Sequence, residues 1–198
     1  MKLRVCGQDP SLRHWGLALG TYDTTTNILT LDEVAVIEPE LSKSKQVRQN
    51  SLDLESANQL CRGSLEAVEG VQAVFVEVPV GSQSARAMAS YGICVGILGA
   101  LRATGVPFFE VTPTEVKLAG AGIKTATKQQ MIDWAMLKHP EANWPLYKQK
   151  GVTKVSEVKA EHMADATAAI YAGLACNPFQ QMLAMLRDNT RGLPCVSN

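Results

Sequence analysis

Near the middle of the chain, Ala73-Val74-Phe75-Val76-Glu77-Val78 form a nearly continuous apolar run of strand length, closed by Pro79. A strand without a polar face has to be covered on both sides, so it belongs inside a sheet sandwiched between helices. The flanking sequence supplies the covers. Over residues 45–69, Leu52, Leu54, Ala57, Leu60, Leu65 and Val68 recur at helical spacings, and Gly70 stops the pattern. After Pro79 a small loop, Gly81 to Ser84, leads into a long apolar helix over about residues 85–104, with Gly92, Gly96 and Gly99 inside it. Glycines there cost helix propensity but permit close packing.

The N-terminal third follows a different rule. Leu3 and Val5 alternate with Lys2 and Arg4, the period of a strand buried on one face. Residues 15–22 and 28–37 are rich in β-branched and apolar side chains and flank the polar turn Asp23-Thr24-Thr25-Thr26-Asn27, which predicts a hairpin. These three strands make an antiparallel meander. Further on, Phe108-Phe109-Glu110-Val111 is another short strand. Thr112-Pro113 opens a helical piece with Glu115 and Lys117, which Gly120 and Gly122 break. Thr127 is an N-cap for a helix to about residue 138, with Met131 and Trp134 inward. Residues 139–159, with Pro140, Pro145 and Gly151, read as a loop or excursion. An alanine-rich helix over about 157–175 ends at Asn177-Pro178, followed by a short helix over 179–187 and a frayed tail. The expectation is an α/β fold with a mixed five-stranded sheet, three antiparallel strands plus parallel ones, flanked by helices.

At 198 residues, 46% hydrophobic and 19% charged, the chain fits one ordinary globular domain. No stretch approaches the ~20 apolar residues of a membrane span, and the N-terminus lacks a signal-peptide core. A cytoplasmic protein, away from membranes, is the expectation. Five cysteines without a C-x-x-C pair argue against disulfides and a thiolate zinc site. The 19 basic and 19 acidic residues cancel, which argues against indiscriminate coating of nucleic acid. The charge is unevenly spread: Lys138, Lys148, Lys150, Lys154 and Lys159 face only Glu141 and Glu157, while acidic residues gather over 32–69. That asymmetry allows a basic face.

Chemistry concentrates at four positions. Asp9 follows Val5-Cys6-Gly7-Gln8 and precedes Pro10, so it ends a strand. Glu77 ends another. His162 and Asp165 are three apart on the late helix and so share one face. Taken singly, Asp before Pro caps turns, and polar i, i+3 pairs are common on helices. Brought together, three carboxylates and an imidazole would repel unless a cation sat between them. Hard oxygen donors with one His suit Mg²⁺ or Mn²⁺. Two such ions ~3.5–4 Å apart are the apparatus of phosphodiester hydrolysis.

At this point the sequence resembles a known family, the RuvC Holliday junction resolvases of the ribonuclease H-like nuclease superfamily. Gly7-Gln8-Asp9-Pro10-Ser11 is similar to the family's opening Gly-x-Asp-Pro motif, and Val76-Glu77 to its second acidic strand. Thr112-Pro113-Thr114-Glu115-Val116-Lys117 and Thr127-Lys128-Gln129-Gln130 resemble its lysine-bearing segments. His162-Met163-Ala164-Asp165-Ala166 is close to its last motif. The matches occur in order over roughly residues 3–175. The resemblance implies a ribonuclease H-like nuclease domain over residues 1–176 and a C-terminal extension over 177–198. It implies Asp9, Glu77, His162 and Asp165 as the catalytic, metal-binding set, with two Mg²⁺ ions that Mn²⁺ can replace. Lys117 would join the catalytic set and, with Lys128, contact the scissile backbone. Lys124, Lys148, Lys150 and Lys154 complete the expected DNA-binding set. The implied activity is symmetric nicking of Holliday junctions by a homodimer, with the helix over 85–104 as part of the dimer surface.

Two departures bear on specificity. Where the family often carries an aromatic wedge, three residues after the second acid, this chain has Val80; and residues 139–159 are longer than usual. A less structure-selective nuclease for flaps, forks or hybrids is therefore a rival expectation, as is a junction-binding protein without hydrolysis. A sugar-kinase-like or actin-like phosphotransferase would share the topology, but it is larger and needs a second glycine-rich phosphate loop that this sequence lacks.

Overall fold

A computed structural model describes residues 1–44 and 46–191, and for residues 188–191 the backbone alone. Its centre is a five-stranded sheet in the order β3-β2-β1-β4-β5. Strands β1 (Lys2–Asp9), β2 (Trp15–Asp23) and β3 (Ile28–Ile37) are the antiparallel meander. Strands β4 (Ala73–Glu77) and β5 (Phe108–Val111) add to β1 in parallel. Ala73 through Val76 are fully buried, as a strand without a polar face must be.

Helices cover both faces. On one lie α1 (Gln49–Ala67) and α2 (Ala85–Arg102), packed over Cys6, Trp15, Val74 and Val76. On the other, α5 (Glu157–Ala175) runs directly across β1 and β2, over Val5, Ala18 and Phe75. Two short helices, α3 (Pro113–Ala119) and α4 (Lys128–Lys138), pack beside α5. Both open with capping boxes, Thr112 with Glu115 and Thr127 with Gln130, which satisfy orphan backbone donors.

The contact of α5 with the sheet is unusually close, and glycine permits it. A methyl group added at Gly7 would lie 2.0 Å from the Ala166 carbonyl oxygen, and one at Gly16 would lie 2.1 Å from that of His162. At Gly173 the obstacle would be the Phe75 ring, also at 2.0 Å. The alanines of α5 serve the same end from the helix side, with Ala160, Ala164, Ala166, Ala168 and Ala169 fully buried.

Three local expectations change. The first helix begins at Gln49, and Lys45 lies outside the described residues. Its inward stripe is partly polar: Asp53, Ser56, Leu60 and Ser64 are buried while Leu54 is 71% exposed. The polar members have partners inside, since Ser64 donates to Gln8 at 2.9 Å and Asp53 accepts two hydrogen bonds from Arg86. Second, residues 139–159 are not a loop throughout. They contain an antiparallel hairpin, β6 (Leu146–Gln149) and β7 (Val152–Val155), turned at Lys150 and Gly151, both at positive φ. Two consecutive positive φ values are the geometry of a two-residue hairpin turn, more often written Asn-Gly. Third, α6 (Asn177–Arg191) is longer than expected and drives Phe179 and Leu183 into the main core, with Phe179 edge-on to Phe75 and Phe109. The tail expected beyond it lies outside the described residues from residue 192, with Cys195 in it. Cys6, Cys61, Cys94 and Cys176 are free thiols. No helix among the described residues is long and apolar enough to cross a membrane.

Candidate active site

The parallel register of β1 and β4 brings two carboxylates side by side. Gln8 pairs with Val76, so Asp9 and Glu77, one residue further on each strand, emerge together at the ends of neighbouring strands. Both point to the face that α5 covers, the face of Gly7 and Phe75. The close passage of α5 over Gly7 and Gly16 then sets His162 and Asp165 above them. His162 Nδ1 and Asp9 Oδ2 are 2.5 Å apart, with both side chains mostly withdrawn from solvent.

The electrostatics record how closely these groups are placed. Burial, then the negative charge of Asp9, pushes the Glu77 carboxyl up to about 8, against the pull of Lys117 on α3. Asp165 is also raised, first by burial and then by Asp9, Glu77 and Glu161, with His162 opposing. For His162, burial disfavours the charged ring, but the hydrogen bond and charge of Asp9, with Glu161 and Asp165, outweigh it and raise its pKa. The Glu77, His162 and Asp165 shifts all trace in part to the charge of Asp9, which ties the four groups into one cluster.

The structure places Lys117, half-buried, where its charge reaches Glu77. Lys128, the first residue of α4, pairs with Glu161 at 2.6 Å, and Asp165 and Asp9 also act on it. Lys124 is exposed in the turn between α3 and α4. Lys148, Lys150 and Lys154 stand apart from these on the β6–β7 hairpin. Val80 is 77% exposed in the loop after β4.

Sequence reasoning missed three neighbours of this cluster. The ring of His14, in the turn between β1 and β2, stacks on His162 with centroids 5.5 Å apart and planes 15° apart. Glu38 lies 3.6 Å from His14 and also pairs with Lys159 on the first turn of α5. Glu161 sits between Lys128 and the cluster. For Glu161 a signal existed, because it precedes Asp165 by one helical turn. For His14 and Glu38 there was none, since only the pairing of Asp9 with Gly16 brings the β1–β2 turn back over α5.

No protein-family model matches the chain, and no curated protein matches its sequence. Solved structures do match. The RuvC of Thermus thermophilus in complex with a Holliday junction substrate superposes with a TM-score of 0.61 at 21% identity, over 90% of this chain and 96% of that one. The fold is that of RuvC. A second structure of the Thermus RuvC gives 0.59 at 22% identity, over 93% and 97% of the two chains. The yeast mitochondrial Holliday junction resolvase gives 0.59 at 15% identity, over 96% of this chain and 83% of that one. At such identities the likeness speaks for the RuvC fold and its ribonuclease H-like mixed sheet, and the chemistry rests on the side chains.

The donor chemistry of those side chains is that of a hard-metal site. Three carboxylates and one imidazole suit a hard divalent cation. Glu77 and Asp165 are strained toward the protonated form by burial and mutual repulsion, which a cation would relieve. As arranged, Asp9 is turned onto His162, and no three His, Cys, Asp or Glu side chains among the described residues yet form a ligating group. The donor set therefore fits a hard divalent ion, and with His162 Nδ1 held by Asp9 Oδ2 the second carboxylate oxygen of Asp9 is left over as a donor.

Proposed function

We propose that this chain is a metal-dependent endonuclease that hydrolyses phosphodiester bonds in branched DNA, four-way junctions foremost, and acts as a homodimer. The observation that carries the reading is the convergence of Asp9, Glu77, His162 and Asp165 at the strand ends beneath α5, in a chain with the RuvC fold. These four residues would hold Mg²⁺, with Mn²⁺ as a substitute. Asp9, whose charge acts on the other three, would be the best candidate to serve both ions. When bound, such ions activate water and neutralise charge developing on the phosphate. The chain's own residues supply the rest. Lys117 offsets negative charge beside Glu77, and Lys128, tethered by Glu161, offers a cation at the rim. Burial under α5 lowers the local dielectric and strengthens each of these interactions.

The homodimer reading rests on α2. Met88 and Val95 are exposed on it, and Gly92, Gly96 and Gly99 have open space where a side chain would project. A second helix can approach such a face closely, and a two-fold axis there would relate two sites for paired nicks. A second enzymatic reading draws on Val80, whose exposed aliphatic side chain offers no ring to stack in an open junction. It makes the chain a less structure-selective nuclease for flaps, forks or hybrids.

Cleavage of a synthetic four-way junction, a flap, a hybrid and a duplex of equal sequence, each with Mg²⁺, separates the readings. The first expects nicking of the junction far above the duplex. Comparable cutting of flap and junction favours the second. Junction binding without cutting in either Mg²⁺ or Mn²⁺ would contradict both and leave a non-cleaving DNA-binding protein.

A further inference from the structure

The β6–β7 hairpin belongs neither to the sheet nor to the cluster under α5, yet it is firmly mounted. At its base the Ser156 amide donates to the Pro145 carbonyl at 2.9 Å, and the buried Trp144 donates its indole N–H to the His139 carbonyl at 2.8 Å. The Asn143 side chain both donates to and accepts from the Val34 backbone on the edge strand β3. Beyond that base every residue from Leu146 to Lys154 is exposed. An isolated two-stranded ribbon is marginal in water, so a short one whose described residues stay exposed from Leu146 to Lys154 gains from a partner.

Its chemistry selects the partner. From Ala142 to Ser156 the sequence has three lysines and no acid. Among the described residues none of Lys148, Lys150 or Lys154 is in an ion pair. The register sets Tyr147 opposite Lys154 and Gln149 opposite Val152, so these four share one face. On that face Lys154 donates to Gln149 at 2.8 Å, leaving the Tyr147 ring, 46% exposed, beside a fixed cation. An exposed ring beside Lys154, with Lys150 at the turn and Lys148 on the opposite face, suits an unstacked base on a phosphate backbone. Location agrees. Only Ser156 separates β7 from α5, and His162 lies about 8 Å along that helix from its first residue, at 1.5 Å per residue. Each four-residue strand reaches about 13 Å outward from that base.

We propose that the β6–β7 hairpin is a nucleic-acid-binding arm whose Tyr147 stacks on an unpaired base while Lys154 and Lys150 hold the adjoining backbone and Lys148 attracts phosphate from the ribbon's other face. The proposal rests on the nuclease reading above and specifies where the substrate's unpaired bases go.

The test uses the full chain and two labelled DNA probes of equal sequence, a fork with single-stranded arms and a closed duplex. Binding is measured by anisotropy with Ca²⁺ over a range of salt. Tyr147→Ala is expected to weaken fork binding about tenfold or more and to leave duplex binding unchanged, with Tyr147→Phe restoring the fork. The triple variant Lys148→Ala/Lys150→Ala/Lys154→Ala is expected to weaken both probes and to reduce the salt slope by about 2–3. Equal loss on fork and duplex with Tyr147→Ala, or no loss on either, overturns the arm. So would variants that alter the sedimentation of the free protein and not its DNA binding, since the ribbon would then meet another protein chain. If the wild type cuts junctions while every hairpin variant binds as it does, the arm falls and the nuclease stands. If the wild type neither binds nor cuts branched DNA, both fall.

Discussion

The α5 seam and the β6–β7 hairpin are adjacent in sequence and opposite in construction. Along the seam the helix backbone comes close to the sheet backbone at Gly7 and Gly16, the alanines from Ala160 to Ala172 are buried, and His162 and Asp165 are set down over the strand ends. The hairpin buries almost nothing, and its position is set only where it is rooted, at Asn143, Trp144 and Ser156. The seam holds the clustered side chains on packed secondary structure, the kind of support that a proposed catalytic site needs. The hairpin offers reach and adaptable contact, as an extended ligand demands. On the proposed reading, one chain would thus separate positioning from capture.

The contrast breaks most readily at the seam. Gly16→Val places three carbons where the His162 carbonyl already stands, so α5 must lift. The expected loss is about 3 kcal/mol or more in chemical denaturation, at the severe end of overpacking. A loss below about 0.5 kcal/mol, the range of ordinary surface changes, would mean that the seam is loose. Removing the ring stacked on the site comes next. His14→Ala is expected to lower kcat roughly tenfold with KM near wild type, because the loss is one of alignment. His14→Phe retains the stack and should recover most of the rate. An equal loss in both variants would show that the imidazole acts through its nitrogens.

Much of the seam was legible in the sequence. The central run from Ala73, the meander and the ordered acidic positions each carry a local signal, of period or of motif, and the register of β1 with β4 turns that order into proximity. The hairpin was not legible because its strands bury neither face. Tyr147-Lys148-Gln149 shows no apolar alternation, and its turn uses Lys150 where Asn would have announced it. The inward face of α1 misled for the opposite reason: Asp53 and Ser64 are buried by partners, Arg86 and Gln8, that lie far away in sequence. His14 and Glu38 belong to the same class, since tertiary packing alone brings them to His162 and Lys159.

A smaller effect sharpens the comparison through pH. The metal-free native state holds the Glu77 proton up to about 8, whereas an unfolded Glu releases it near ~4.3. Between those values the native state binds more protons, so stability is greatest near the lower one and erodes as pH rises to 8. Thermal melts without metal are expected to fall from pH 5 to pH 8, and Mg²⁺ to restore the melting temperature at pH 8. A flat profile without metal would contradict the crowding of carboxylates under α5. At the hairpin the smallest change is expected. Lys148→Ala, on an exposed strand, should alter stability by no more than about 0.5 kcal/mol.

The central claim is that Asp9 anchors a metal-dependent nuclease site, and Asp9→Asn tests it most directly. The substitution keeps the shape of the side chain and removes the charge that Glu77, His162 and Asp165 all feel. Single-turnover cleavage of a four-way junction with Mg²⁺ should fall to background while junction binding persists or tightens. Cleavage at the wild-type rate would contradict the account.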